Sequence, residues 1–182
     1  KPGRIALIGE KQKATDAVFI AKAEKEGALL AFAEDVFALK NVKQQMVKGK
    51  LELHFDVHAP GQRGALYKAM RCDLSGLYQQ KNICTVLSAL AMLERFCGMS
   101  LPEKAIRKGL CETTSLTGLQ GRWQMLGKKP MIIADTGHNE AGIKEILHML
   151  KKQSYERLFW VFGVVNDKDL GTVLSMLPKK AH

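Results

Sequence analysis

The residues with the greatest chemical capacity lie between Gly121 and Leu147, in the stretch GRWQMLGKKPMIIADTGHNEAGIKEIL. Arg122 follows a glycine, so a flexible backbone can present its guanidinium to phosphate oxygens through charge-assisted hydrogen bonds; a solvated surface arginine is the alternative. Asp135 ends a compact apolar run, Met131 to Ala134. Its carboxylate can accept hydrogen bonds from ribose hydroxyls, or it can cap the helix that starts nearby. His138, in the turn-type cluster Asp135 to Asn139, has the chemistry to move a proton or hold a substrate carboxylate, against a structural or solvated role. Farther up the chain, Asn82 stands at the start of a long apolar-periodic segment, where an N-cap is the ordinary structural role. His54, Asp56 and His58 share one strand face and have metal-ligand chemistry, but a solvated face explains their alternation and is preferred, so no metal ligand is assigned. Asp167-Lys168-Asp169 reads as a helix start with acidic caps.

These groups need elements to hold them. Ala141, Ile143, Ile146, Leu147 and Leu150 recur at helical spacing, so 131–147 predicts a strand, a short polar loop and a helix. An Asp at the end of such a strand points into the crevice where open α/β sheets hold ligands. Near the start, Arg4 to Ile8 reads as a strand and Lys13 to Lys25 as an amphipathic helix with Ala14, Ala17, Val18 and Ala21 on one face. Ala28 to Ala33 reads as another strand, and this β-α-β order predicts a parallel sheet. Leu51, Leu53, Phe55 and Val57 alternate with Glu52, His54, Asp56 and His58 in the period of a half-exposed strand, and a second strand follows the Pro60-Gly61 turn. Asn82 to Phe96, with Ile83, Val86, Leu87, Leu90, Ala91 and Leu93, reads as a long buried helix, and a shorter one follows Pro102. The polar segment Thr113 to Gly121 reads as a linker with a domain boundary near Thr117. A strand at Arg157 to Val161 and a helix from about Lys168 to Leu177 complete the pattern.

A chain of 182 residues with 46% hydrophobic residues can bury a sizeable core, as one domain or two small ones. Its longest apolar stretches, at 28–33 and 158–165, fall far short of the ~20 residues of a membrane span. Cys72, Cys84, Cys97 and Cys111 form no C-x-x-C pair, which argues against a zinc site or disulfide scaffold and for reduced thiols in a cytoplasmic protein. The net charge of +10 suits anionic partners. Lysines scattered without interleaved aromatics disfavour nucleic acid. The chain starts at Lys1 with neither Met nor a signal region and reads as a fragment. No G-x-x-x-x-G-K-[ST] loop occurs, so the chain alone is expected to be catalytically incomplete.

Five ordered segments resemble one family. They are Lys1-Pro2-Gly3 with Ile8-Gly9; Leu74-Ser75-Gly76-Leu77-Tyr78-Gln79 followed by Asn82 and Thr85-Val86-Leu87; Gly121-Arg122-Trp123-Gln124; Asp135-Thr136-Gly137-His138-Asn139; and Phe162-Gly163 with Asp167-Lys168-Asp169. Together they are similar to folylpolyglutamate synthase and dihydrofolate synthase of the Mur ligase superfamily, with Tyr78 where a His is common. The resemblance implies an α/β chain: residues 1–117 as the later part of the central ATP-binding domain and 118–182 as a truncated, Rossmann-like C-terminal domain. It implies an ATP-dependent ligase that adds L-glutamate to folate or dihydropteroate through an acyl phosphate. Asn82, Arg122 and Asp135 would contact ATP, His138 would face the ligation site, and closure about a hinge near Thr117 would exclude water. The phosphate loop, the Mg2+ ligands and a modified lysine would precede Lys1. A monomeric, cytoplasmic parent with no nucleic-acid or membrane partner is implied. The alternatives are a Mur ligase of cell-wall precursor synthesis and, from another class, a basic nucleotide- or nucleic-acid-binding module whose affinity would fall steeply with salt.

Overall fold

A computed structural model describes residues 1–164 and 170–179 of the chain, which divides into two compact units, Lys1–Gly118 and Leu119 onward. In the first unit, β1 (Ile5–Ile8), α1 (Asp16–Lys25) and β2 (Leu29–Phe32) form the expected β-α-β unit, with Ile5 through Ile8 parallel to Leu29 through Phe32. A one-turn helix α2 (Ala33–Val36) then leads into β3 (Ala38–Val47), β4 (Lys50–His58) and β5 (Tyr67–Cys72), an antiparallel sheet in that order. Lys48 and Gly49 both take positive φ, 48° and 80°, as a two-residue hairpin turn between twisted strands requires. The sequence pattern left β3 unassigned, because its polar run becomes a strand only by pairing with β4.

The alternation along β4 is real: Leu53, Phe55 and Val57 are essentially inaccessible and centre the core with Met70, Ile83 and Leu87. The opposite face is more than solvated. Glu52 is buried at 8% exposure and takes two hydrogen bonds from Arg71, Nε to Oε2 at 2.7 Å and Nη2 to Oε1 at 2.8 Å. Asp56 accepts from Asn41 Nδ2 and from the Ala69 amide, both at 2.8 Å. Asn41 and Ala69 have positive φ and lie where the β3–β4 and β4–β5 registers shift, so one carboxylate ties down both irregularities.

The Arg71 guanidinium holds the Glu52 carboxyl below its ordinary range. A depressed folded value contributes stability above the unfolded carboxylate value, about pH 4, and loses it as pH falls. Glu52→Gln is therefore expected to cost about 1–2 kcal/mol at neutral pH, reduced from a fully buried pair because Arg71 reaches solvent. Thermal melts of wild type and variant should converge on acidification below about pH 4; a constant gap would contradict this assignment.

Helix α3 (Gln79–Cys97) starts three residues earlier than the sequence pattern indicates and ends at Gly98, whose φ is 67°. Its buried side holds Ile83, Cys84, Leu87, Ser88 and Met92, with Cys84 Sγ donating to Phe37 O at 3.1 Å and Ser88 Oγ to Ala33 O at 3.2 Å. Val86 and Leu93, expected in the core, are exposed because they fall on the opposite side of the helix. Burial pushes the Cys72 thiol up to about 11 and the Cys84 thiol upward, so both behave as small apolar side chains; Cys97 is exposed. Helix α4 (Glu103–Cys111) begins after Pro102, and 113–117, read as linker, forms a short helix α5 (Thr113–Thr117) closed by Gly118 at φ 70°.

In the second unit, β6 (Gln124–Lys128) and β7 (Met131–Ala134) make an antiparallel hairpin, followed by α6 (Glu140–Leu150), which buries Ile143, Ile146 and Met149, and α7 (Leu170–Met176). The strand expected at Arg157 to Val161 is not formed: Phe159 is 69% and Val161 99% exposed. An apolar run supplies strand propensity, but pairing makes the strand. Asp167-Lys168-Asp169 lies outside the described residues.

Candidate functional site

The second unit gathers Arg122, Asp135 and His138 at the open end of its hairpin, through hydrogen bonds between two loops. Gly121 takes φ 69°, and any Cβ there would collide with Thr136 Cγ2, so the position needs glycine for both its backbone and its space. Gly121 N–H donates to Gln124 Oε1 at 2.9 Å, while Gly121 O accepts from the Thr136 amide at 2.9 Å and from Thr136 Oγ1 at 3.2 Å. Trp123, buried at 3% exposure, holds a left-handed φ of 52° and donates its amide to Asp135 Oδ2 at 2.8 Å. Asp135 Oδ1 accepts from the Gly137 amide at 2.8 Å. One carboxylate thus joins the Gly121–Trp123 loop to the loop that leads into α6.

Arg122 is half-buried and its Nη1 donates to Thr136 Oγ1. Its guanidinium is therefore fixed beside the strand end, a geometry suited to a planar, multi-donor contact with phosphate or carboxylate oxygens. The helix-capping alternative for Asp135 does not hold, because the cap of α6 is Asn139, whose Oδ1 accepts from Gly142 N at 2.8 Å. His138 is exposed and its Nδ1 lies 3.1 Å from Thr136 O; a carbonyl only accepts, so Nδ1 carries a proton in this contact. Gly137 is also tightly placed, since a Cβ there would meet Ile146 Cδ1 at 2.7 Å.

Asn82 belongs to the first unit. It does not cap α3: it sits inside the first turn, at the rim of the helix, and its Nδ2 donates to the oxygen of buried Gln79 at 2.9 Å. Both residues line a cavity of about 370 Å³ between α3 and α4, walled mostly by apolar side chains including Val86, Leu90, Leu101 and Ile106. An apolar pocket with a few convergent polar groups is the ordinary form of a small-molecule site. The neighbouring glycines mark close approaches, because a Cβ at Gly76 would lie 2.7 Å from Tyr78 Cε1 and one at Gly9 would lie 2.8 Å from Thr85 Oγ1. Among the described residues no group of three or more His, Cys, Asp or Glu is placed to hold a metal ion, and no helix is long and apolar enough to cross a membrane.

The sequence pattern singled out Arg122, Asp135 and His138 but not Thr136 or Gln124, whose side chains complete the loop network. Their adjacency to the named residues was the available signal.

Residues 121–182 match the family described as Mur ligase, glutamate ligase domain. The dihydrofolate synthase/folylpolyglutamate synthase of Mycobacterium tuberculosis is 26% identical over 97% of this chain and 34% of its own length. The Escherichia coli protein of the same name is 31% identical over 56% of this chain and 22% of its own. The chain thus spans about a third or less of these curated relatives. A solved folylpolyglutamate synthase complex with AMPPCP and folate superposes with a TM-score of 0.81 at 21% identity, over 100% of this chain and 42% of that one. The second unit thus matches a Mur ligase, glutamate ligase domain, and the chain along its whole length shares the fold of a solved folylpolyglutamate synthase.

Proposed function

We propose that the chain is part of an ATP-dependent ligase that joins L-glutamate to the carboxylate of a folate or dihydropteroate. In such a reaction ATP supplies the phosphoryl group that activates the carboxylate for attack by the glutamate amine. The observation that carries the proposal is the fixed guanidinium of Arg122 beside the Asp135 loop, inside the stretch that matches a glutamate ligase domain. The donor set suits a nucleotide: Arg122 offers charge-assisted donors to phosphate, and Asp135 is a carboxylate acceptor for ribose hydroxyls. In the first unit, Asn82 and Gln79 offer polar groups at an apolar cavity of about 370 Å³, the ordinary form of a small-molecule site. His138 serves at the ligation site, as a proton carrier or a contact for a substrate carboxylate. The described residues offer no magnesium cluster, so Mg2+ would arrive with the nucleotide or on residues beyond those described. Catalysis of this kind rests on positioning and charge stabilisation rather than on a protein nucleophile.

The test is product mass and phosphate release from the full-length protein that carries this chain, given Mg-ATP and glutamate with dihydropteroate in one reaction and tetrahydrofolate in another. A glutamylated pterin product is expected. Absence of product and of pterin-dependent phosphate release from a folded enzyme would refute the folate reading. In the same assay Arg122→Ala is expected to raise the KM for ATP at least about tenfold, the value of one charge-assisted hydrogen bond. Arg122→Lys should recover only part, because an ammonium lacks the planar fork.

A further inference from the structure

We infer that Thr136 is a positioning residue for nucleotide binding: its hydroxyl sets the direction of the Arg122 guanidinium. This inference rests on the nucleotide reading of the Arg122 loop and adds a residue to it.

A threonine hydroxyl has one proton to give and lone pairs to accept. Thr136 Oγ1 gives its proton to Gly121 O at 3.2 Å and accepts from Arg122 Nη1. The same oxygen therefore reads the backbone immediately before Arg122 and the far end of the Arg122 side chain. A β-branched side chain has few χ1 options, and here the methyl group chooses among them. Thr136 Cγ2 lies against Gly121 in the space a Cβ would need. With the methyl placed there, the hydroxyl is turned toward Gly121 O and the guanidinium.

The Thr136 backbone is fixed independently. Its amide donates to Gly121 O at 2.9 Å, and its neighbours Asp135 and Gly137 are joined by the carboxylate-to-amide bond of 2.8 Å. Removing the hydroxyl thus leaves the loop's backbone pairing in place and frees only Arg122. A free arginine side chain carries several rotatable bonds, and the entropy of ordering them must then be met on binding. The effect should appear in affinity and in guanidinium mobility rather than in the fold.

The experiment compares wild type, Thr136→Val and Thr136→Ser in the full-length protein that carries this chain. Valine keeps the branched shape and loses both hydrogen bonds; serine keeps both and loses the methyl. Order of the Arg122 side chain is read without ligand, from relaxation and hydrogen exchange of its guanidinium groups by NMR, and ATP affinity is read by titration. The Trp123 and Gly137 amide resonances report whether the loop backbone is intact. The expected result is a mobile Arg122 and roughly tenfold weaker ATP binding in Thr136→Val, with Thr136→Ser between Thr136→Val and wild type in both, since it keeps the hydroxyl and loses the methyl that sets its rotamer. Equal guanidinium order and equal affinity in Thr136→Val, with the loop intact, would overturn the inference. A loop disrupted in Thr136→Val but not in Thr136→Ser would also overturn it, since Thr136 would then hold the backbone rather than the side chain. Failure of wild type to bind ATP would count against the nucleotide reading alone, because the mobility comparison still decides whether Thr136 orients Arg122.

Discussion

Asp135→Ala is expected to loosen the second unit by about 2–4 kcal/mol and to remove nucleotide binding with it. The carboxylate accepts the amides of Trp123 and Gly137, one on each oxygen. Both are hydrogen bonds to a charged acceptor, and the Trp123 donor is buried, so its partner cannot simply be replaced by water. Asp135→Asn should fall between the two, because its one carbonyl oxygen satisfies a single amide while its NH2 group faces the other. Chemical denaturation of the three forms, followed by tryptophan fluorescence from Trp123 and Trp160 of the second unit, checks the order. A fully stable Asp135→Ala chain would show that these two bonds do not hold the loop.

Gly121→Ala should cost a similar amount by a different route. A left-handed φ of 69° penalises any L-residue by about 1–2 kcal/mol, and the added Cβ meets the Thr136 methyl, an overpacking of about 1–3 kcal/mol. The two contributions separate in a double-mutant cycle. Adding Thr136→Ser removes the colliding methyl and should recover the packing part while leaving the backbone part. Simple additivity of the two substitutions would mean that the contact is relieved by movement of the loop.

The contacts around Asp135 and Gly121 are legible in the sequence only in part. The β-α-β unit at the start was readable because each element has its own apolar period, and so was the inward row Leu53, Phe55 and Val57. Elements that exist through pairing were not: β3 and β6 carry no strong pattern and form against β4 and β7. The reverse error occurred at Arg157 to Val161, where an apolar run lacks a strand. Helix α3 was readable as a helix, but its apolar residues go all round, so periodicity did not separate the core side from the cavity side that Val86 and Leu90 line. In the loops, the residue types Arg122, Asp135 and His138 were visible as chemistry. Their partners were not, since Thr136 and Gly121 are fifteen residues apart and meet only in the folded hairpin. The N-cap roles were misplaced for a related reason: Asn139 was the nearer capping residue to α6, and α3 had already begun at Gln79.

The most direct test is an ATP titration of the full-length protein that carries this chain, followed by amide NMR, with Arg122→Ala alongside, at low and at moderate salt. The expected shifts concentrate at Gly121, Trp123, Thr136 and Gly137, are lost in Arg122→Ala and are only modestly weakened by salt. Shifts spread over the exposed lysines, unchanged in Arg122→Ala and abolished by salt, would instead identify a basic surface that attracts any polyanion and would contradict a nucleotide site built around Arg122 and Asp135.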